Sequence, residues 1–269
     1  MQFYTHTLPS GAALVGYLRD ETTEMPAFNI RPAILILPGG GYAWCSSREA
    51  DPVAMQFLQA GYNVFILAYT CRKDDTQPPL RWQPLIDAAG AVLHIRRNAA
   101  KFRVDPFKVA VCGFSAGGHL AASTAILWDA EPVQKALGIH AEEARPDAVV
   151  LGYPVITSGI MTHGGSIKNL CGDDVELKAT MSLENQIHGD LPPFFIWHTV
   201  EDGSVPVQNS LLLASALTEH KVPFELHLFN HDGHGTSTCT REVNTPNAHN
   251  HAWVDLCTDW LADLFNYHL

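Results

Sequence analysis

The chain has 269 residues, 46% hydrophobic and 17% charged, a balance that suits one large buried core and excludes a disordered or fibrous chain. A formal net charge of −11 argues against nucleic acid and against an anionic membrane surface as partners, since both need clustered Lys and Arg. The densest basic stretch, Arg96, Arg97, Lys101 and Arg103, reads as a solvated helix face.

In chain order, Met1 to His6 shows no basic region ahead of an apolar run, so no secretory signal is expected. No apolar stretch approaches the ~20 residues needed to span a bilayer, and a cytoplasmic location is the expectation. Residues 3–18 alternate around Leu14-Val15-Gly16-Tyr17-Leu18 and predict an antiparallel edge hairpin. Apolar runs at 33–37, 63–68, 108–112, 148–151, 194–197 and 224–228 lack polar alternation, as parallel strands covered on both faces do. Helical patterns fall between them at 49–60, 84–101, 116–128 and 207–220, with a last one at 252–265. The alternation predicts a single α/β domain over 1–269, a mostly parallel doubly wound sheet with helices on both faces. Residues 153–193 break the rhythm, a roughly 40-residue Gly, Ser, His and Asn-rich connection with little strand or helix pattern, of the kind that forms lids or substrate walls. Six cysteines stand without CxxC spacing and are expected to be reduced, small buried residues.

The chemistry is concentrated at four places. Gly113-Phe114-Ser115-Ala116-Gly117 joins an apolar strand to an alanine-rich helix, the setting of a nucleophilic serine on a sharp turn. The helix N-terminus would then offer the Ala116 amide to a developing oxyanion. Pro38-Gly39-Gly40-Gly41-Tyr42 follows an earlier strand, where Gly40 and Gly41 would supply further oxyanion donors; no GxxxxGK[ST] or GxGxxG pattern makes it a phosphate loop. Asp202 lies in the loop after the 194–197 strand, with Glu201 as its rival. His234, flanked by Gly233 and Gly235, follows the next strand, with His231 as its rival and Asp232 as a loop-shaping acid. Ser115, Asp202 and His234 therefore stand in the chain order of a Ser-Asp-His triad. His249 and His251 could suggest a metal, but HExxH spacing is missing, so neither metal nor cofactor is expected.

These motifs, with Gly118-His119, Tyr153-Pro154-Val155-Ile156, His198-Thr199 and Val205-Pro206, span residues 30–265 in order. The chain resembles the lipase/esterase group of the α/β-hydrolases, and more narrowly the small bacterial acetyl esterases and acetylxylan-esterase-like proteins. The resemblance implies a serine esterase that takes a short acyl ester as its small-molecule partner, acetate on a sugar or xylo-oligosaccharide foremost. It also allows a homo-oligomer. Two features depart from the hormone-sensitive-lipase branch: Pro38 stands where histidine is usual, and a glycine loop beginning at residue 39 leaves no room for a helical cap. A missing cap disfavours long acyl chains. The competing readings are a peptidase of the prolyl-oligopeptidase kind, an aryl-formamide hydrolase and a non-catalytic binding protein.

Overall fold

The computed structural model describes residues 1–140 and 142–269. Its strands are β1 (Gln2–Thr7), β2 (Ala13–Leu18), β3 (Arg31–Leu37), β4 (Asn63–Ala68), β5 (Val104–Phe114), β6 (Ala148–Gly152), β7 (Phe194–Thr199) and β8 (Phe224–Phe229). They form one eight-stranded sheet in the order β1-β2-β4-β3-β5-β6-β7-β8. The edge hairpin β1–β2 pairs antiparallel, β2 pairs antiparallel with β4, and the remaining strands are parallel. The helices are α1 (Asp51–Gln59), α2 (Gln83–Arg97), α3 (Ala99–Phe102), α4 (Ala116–Ile126), α5 (Glu131–Leu137) and α6 (Gly164–Cys171). Four more follow: α7 (Val175–Thr180), α8 (Gln208–Glu219), α9 (Ala248–His251) and α10 (Trp253–Phe265).

The sheet is buried on both faces, and the period of two along β3 shows how. Ala33, Leu35 and Leu37 enter one core layer with Ala88 and Val92 of α2, Leu120 and Ala121 of α4 and Leu213 of α8. Ile34 and Ile36 enter the other, with Val53 and Phe57 of α1 and Trp253 and Leu261 of α10. Every residue of β3 is buried, which is why its sequence lacks polar alternation. Among the described residues no helix is long and apolar enough to cross a membrane.

Chain connectivity decides where a site can form. From β3 the chain steps outward to β4, then returns past β3 to β5, so the order reverses between β3 and β5. Carboxyl ends of parallel strands at such a reversal leave a crevice between diverging loops. The loops that leave β3 and β5 there carry Gly39–Gly41 and Ser115.

Four expectations need correction. The 153–193 segment contains two α-helices. The His163 side chain caps α6, Asp174 caps α7 through the Leu177 amide, and Ile167, Leu170 and Cys171 bury one face of α6. Each helix is too short for its period to stand out against the surrounding Gly and Ser. The helix expected over 84–101 ends at Arg97, and Asn98 turns its side-chain amide back onto the His94 carbonyl before α3 begins. Arg96 is not part of a solvated face. Its guanidinium bonds the Pro106, Glu143 and Arg145 carbonyls and the Asp147 carboxylate, clamping α2 to the chain entering β6. The cysteines are free, but Cys45 and Cys71 are only half-buried, with their sulfurs 3.8 Å apart.

The tightest packing is at the turn after β5. A Cβ on Gly113 would lie 2.0 Å from the Gly117 carbonyl oxygen, and one on Gly117 would lie 2.0 Å from that of Leu37 and 2.4 Å from that of Pro38. These obstacles are backbone atoms and have no rotamer to change. Gly117→Ala is expected to cost about 3 kcal/mol or more, lowering Tm by roughly 6–12 °C or leaving no soluble protein. Gly203→Ala, where a Cβ meets nothing within 4 Å, is the control. Thermal melts of the two variants check this; a Gly117→Ala Tm equal to that of the control contradicts it.

Candidate active site

Ser115 sits at φ 55° and ψ −120°, outside the comfortable regions for a residue with a side chain. Three backbone bonds hold it there. Its amide donates to the Gly152 carbonyl, and its carbonyl accepts the His119 and Val155 amides, each at 3.0 Å. The turn aims the side chain out of the sheet end into a cleft of about 300 Å³.

His234 Nε2 lies 2.7 Å from Ser115 Oγ, and His234 Nδ1 lies 2.6 Å from Asp202 Oδ2. Asp202 is buried and receives more than His234. The Ser204 and Val205 amides donate to its Oδ1 at 2.9 and 2.8 Å, and His198 Nε2 stands 3.4 Å from its Oδ2. Burial by itself would raise this carboxyl, but the bonds from His198 and His234, the His234 charge and the Val205 amide outweigh it. Asp202 is therefore held well below the usual carboxylate range and stays ionised. An ionised Oδ2 requires Nδ1 of His234 to be the donor, which leaves Nε2 free to accept the Ser115 hydroxyl proton.

The rivals are placed elsewhere. Glu201 and His231 pair with each other at 3.2 Å, with side chains 58% and 70% exposed. Asp232 accepts the Asn247 and Asn250 side-chain amides at 2.6 and 2.7 Å and shapes the loop, as expected. His251 Nδ1 bonds the Thr238 carbonyl, and His249 lies edge-on to Phe229.

Gly40 and Gly41 line the cleft beside Ser115, with φ of +124° and +64°. Neither their amides nor that of Ala116 finds a backbone acceptor among the described residues. Gly40 has no room for a side chain, since a Cβ there would lie 2.1 Å from the Trp44 carbonyl oxygen. The Gly41 carbonyl is held by the Asn169 side-chain amide at 2.9 Å, so α6 steadies this loop.

Five residues around the site carried no role in the sequence reading. His163 and Asn169 belong to the 153–193 segment, read as a lid or substrate wall with no residue singled out, and both line the cleft. Burial lowers the His163 pKa, helped by the nearby His234 charge and opposed by Asp202. His198 and Tyr153 were part of recognised motifs, without a signal to say what they touch. Glu49 stood at the start of a helix pattern; here it is buried ahead of α1 and bonds the Gly39 amide.

Fold and site together are of the α/β-hydrolase class. The chain belongs to the BD-FAE family, whose profile matches residues 23–217. It is 44% identical over 234 residues to endo-1,4-beta-xylanase B of Butyrivibrio fibrisolvens, a match over 85% of this chain and 35% of that protein. It is 28% identical to the acetylxylan esterase of Xylanibacter ruminicola over 76% of this chain and 40% of that protein. The chain thus spans only about a third to two fifths of the length of these relatives. Among solved structures, an acetyl ester-xyloside bifunctional hydrolase from Caldicellulosiruptor lactoaceticus superposes with a TM-score of 0.79 at 34% identity, covering 97% of this chain and 91% of that one. A carboxylesterase from Lactobacillus plantarum superposes with a TM-score of 0.87 at 25% identity, over 100% and 99% of the two chains.

His119, four residues after Ser115, is fully buried and links three parts of the site. Its Nδ1 accepts the Tyr42 hydroxyl at 2.8 Å, and its Nε2 donates to the Met181 carbonyl at 2.9 Å. Burial lowers its pKa to about 4, against the opposing pull of the Met181 carbonyl. The folded value lies below the unfolded one of about 6.5, so the neutral form stabilises the fold above pH ~6.5 and that stability drains away as pH falls toward about 4. Tm measured across this window should fall more steeply for the wild type than for His119→Gln, and parallel slopes would show that His119 is not the group responsible.

Proposed function

We propose that this chain is a serine esterase that hydrolyses short acyl esters, acetate foremost, carried on carbohydrate alcohols. The observation that carries the reading is the unbroken line from Ser115 Oγ through His234 to the ionised Asp202, at the floor of a cleft beside three amides that find no backbone acceptor among the described residues. His234 takes the hydroxyl proton as Ser115 attacks the acyl carbon. The Gly40, Gly41 and Ala116 amides receive the resulting oxyanion, an effect worth roughly 3–4 kcal/mol for a donor of this kind. The imidazolium then hands its proton to the leaving alcohol. Water attacks the acyl-serine with His234 again as base, returning Ser115 and releasing the acid.

Cleft size supports a short acyl group. The 153–193 segment acts as a substrate wall, bringing His163, Gly165 and Asn169 into the lining of the cleft that holds Ser115. At the rim, Trp44 is 62% exposed and offers a flat apolar face to a sugar ring. The relatives named for acetylxylan and acetyl ester-xyloside hydrolysis point the same way. Glycoside cleavage, which the xylanase-named relative raises, needs two carboxyls free to face a sugar. Here Asp202 and Glu49 both have their oxygens committed to protein donors.

A fluorophosphonate probe should label the wild type at Ser115, and Ser115→Ala should lose labelling together with about 10⁴–10⁶-fold of its turnover of nitrophenyl acetate. Across a series of nitrophenyl esters, kcat/KM should peak at acetate and decline by butyrate, with acetate also released from acetylated xylo-oligosaccharides. Activity retained by Ser115→Ala overturns the mechanism, and an optimum at octanoate overturns the substrate class.

A further inference from the structure

The cleft holds one more carboxylate than the triad uses. Glu49 lines it, yet is only 3% exposed, and no Lys or Arg among the described residues lies within ion-pair distance. Desolvation pushes its carboxyl up, countered by the Tyr153 and Gly39 bonds and by the His234 and Arg48 charges. A buried acid without a cation is costly, so what it holds in place is the question.

Its two oxygens hold two different parts of the site. Glu49 Oε2 accepts the Gly39 amide at 2.7 Å, and Oε1 accepts the Tyr153 hydroxyl at 2.7 Å. Gly39 immediately precedes the Gly40 and Gly41 amides. It is wedged between acid and nucleophile, for a Cβ on it would lie 2.6 Å from Glu49 Oε2 and 3.0 Å from Ser115 Cβ. The Tyr153 hydroxyl also accepts the Ser237 amide at 2.9 Å, three residues beyond His234. The Tyr153 ring stands edge-on to the His234 imidazole, with centroids 5.0 Å apart. One side chain therefore ties the oxyanion loop to the histidine loop, and the nucleophile lies between them.

The hydrogen-bond count favours the ionised acid. With Glu49 as a carboxylate, the Gly39 amide, the Tyr153 hydroxyl and the Ser237 amide each donate to an acceptor. A proton on Oε1 would point at a hydroxyl oxygen that already receives the Ser237 amide, and would leave the Tyr153 proton without an acceptor.

We propose that Glu49, acting with Tyr153, is a positioning residue of the ester hydrolysis: it fixes the Gly40 and Gly41 amides and the His234 loop relative to Ser115, and its charge favours the imidazolium that forms during attack. The proposal rests on the serine-esterase reading. The titratable and charged groups around His234 are Asp202 from the loop after β7, Glu49 and Arg48 ahead of α1, His163 ahead of α6, and Tyr153 after β6. Of these, Asp202 and Glu49 supply the negative charge, so loss of Glu49 lets the base shed its proton at lower pH.

Glu49→Gln keeps the shape and removes the charge; Tyr153→Phe removes the bridge and keeps the ring. For nitrophenyl acetate, both should lose about tenfold or more in kcat with KM changed less than about threefold, as expected when only the transition state loses support. The rising limb of kcat/KM against pH should move to lower pH in Glu49→Gln and stay in place in Tyr153→Phe, while Glu49→Asp should recover part of kcat. Amide hydrogen exchange adds a readout that needs no turnover. Exchange should quicken in residues 39–46 and 235–239 of both variants, with the Gly117 region unchanged. Wild-type kcat, pH profile and exchange in Glu49→Gln would overturn the proposal. Should the wild type fail to hydrolyse esters while exchange quickens as described, the esterase reading falls and the tie made by Glu49 stands; without either, both fall.

Discussion

The site depends on how closely helix α4 approaches the ends of β3 and β5. Gly113 and Gly117 let a helix backbone rest against two strand ends at distances that any Cβ would forbid. That contact leaves Ser115 no room to relax, and its backbone stays in a conformation that costs roughly 1–3 kcal/mol. The surrounding bonds to Gly152, His119 and Val155 supply the over-determination such strain requires. A more relaxed turn would drop the side chain back toward the sheet, away from the His234 loop. Sheet order matters as much as the turn. Because β3 and β5 are neighbours, the glycine loop and the serine emerge side by side although about 75 residues separate them along the chain.

Electrostatics complete what packing begins. Asp202 lies where burial would favour a neutral acid, yet two amides and two imidazoles face it, so its charge survives. The second imidazole belongs to His198, which is itself fully buried and fixed by Ser210 and the Val205 carbonyl. A carboxylate bound from four sides cannot rotate to follow His234; the histidine loop must come to it. This explains why rigidity on the His234 side matters, and why Tyr153 and Ser237 are bonded beneath that loop.

Much of this was readable from sequence because it follows from local rules. Apolar runs without alternation predicted the parallel strands, the strand-to-helix setting pointed to Ser115, and loops after strands offered Asp202 and His234 as leading candidates beside their rivals Glu201 and His231. What escaped the reading shares a physical character. Glu49 and Tyr153 are 104 positions apart and meet only in three dimensions, and nothing near either one announces the other. Arg96 looked like a surface cation because most of its acceptors are backbone carbonyls, which have no sequence signature. Helices α6 and α7 are short and stabilised by caps and by docking onto the domain, and propensity speaks weakly for such pieces.

The 153–193 segment does more than border the cleft, and this links the size of the substrate to the chemistry. Asn169 of α6 holds the Gly41 carbonyl, and the Met181 carbonyl accepts from His119, whose other nitrogen fixes Tyr42 beside the same glycine loop. In the proposed reaction, the wall that would limit an acyl chain would therefore also support the amides that receive the oxyanion. Widening the cleft by moving α6 would pull on Gly41 directly. In the proposed esterase, a small cleft and well-placed donors would follow from one set of bonds, and trimming His163 to make room would not escape this, because His163 caps the same α6 that carries Asn169.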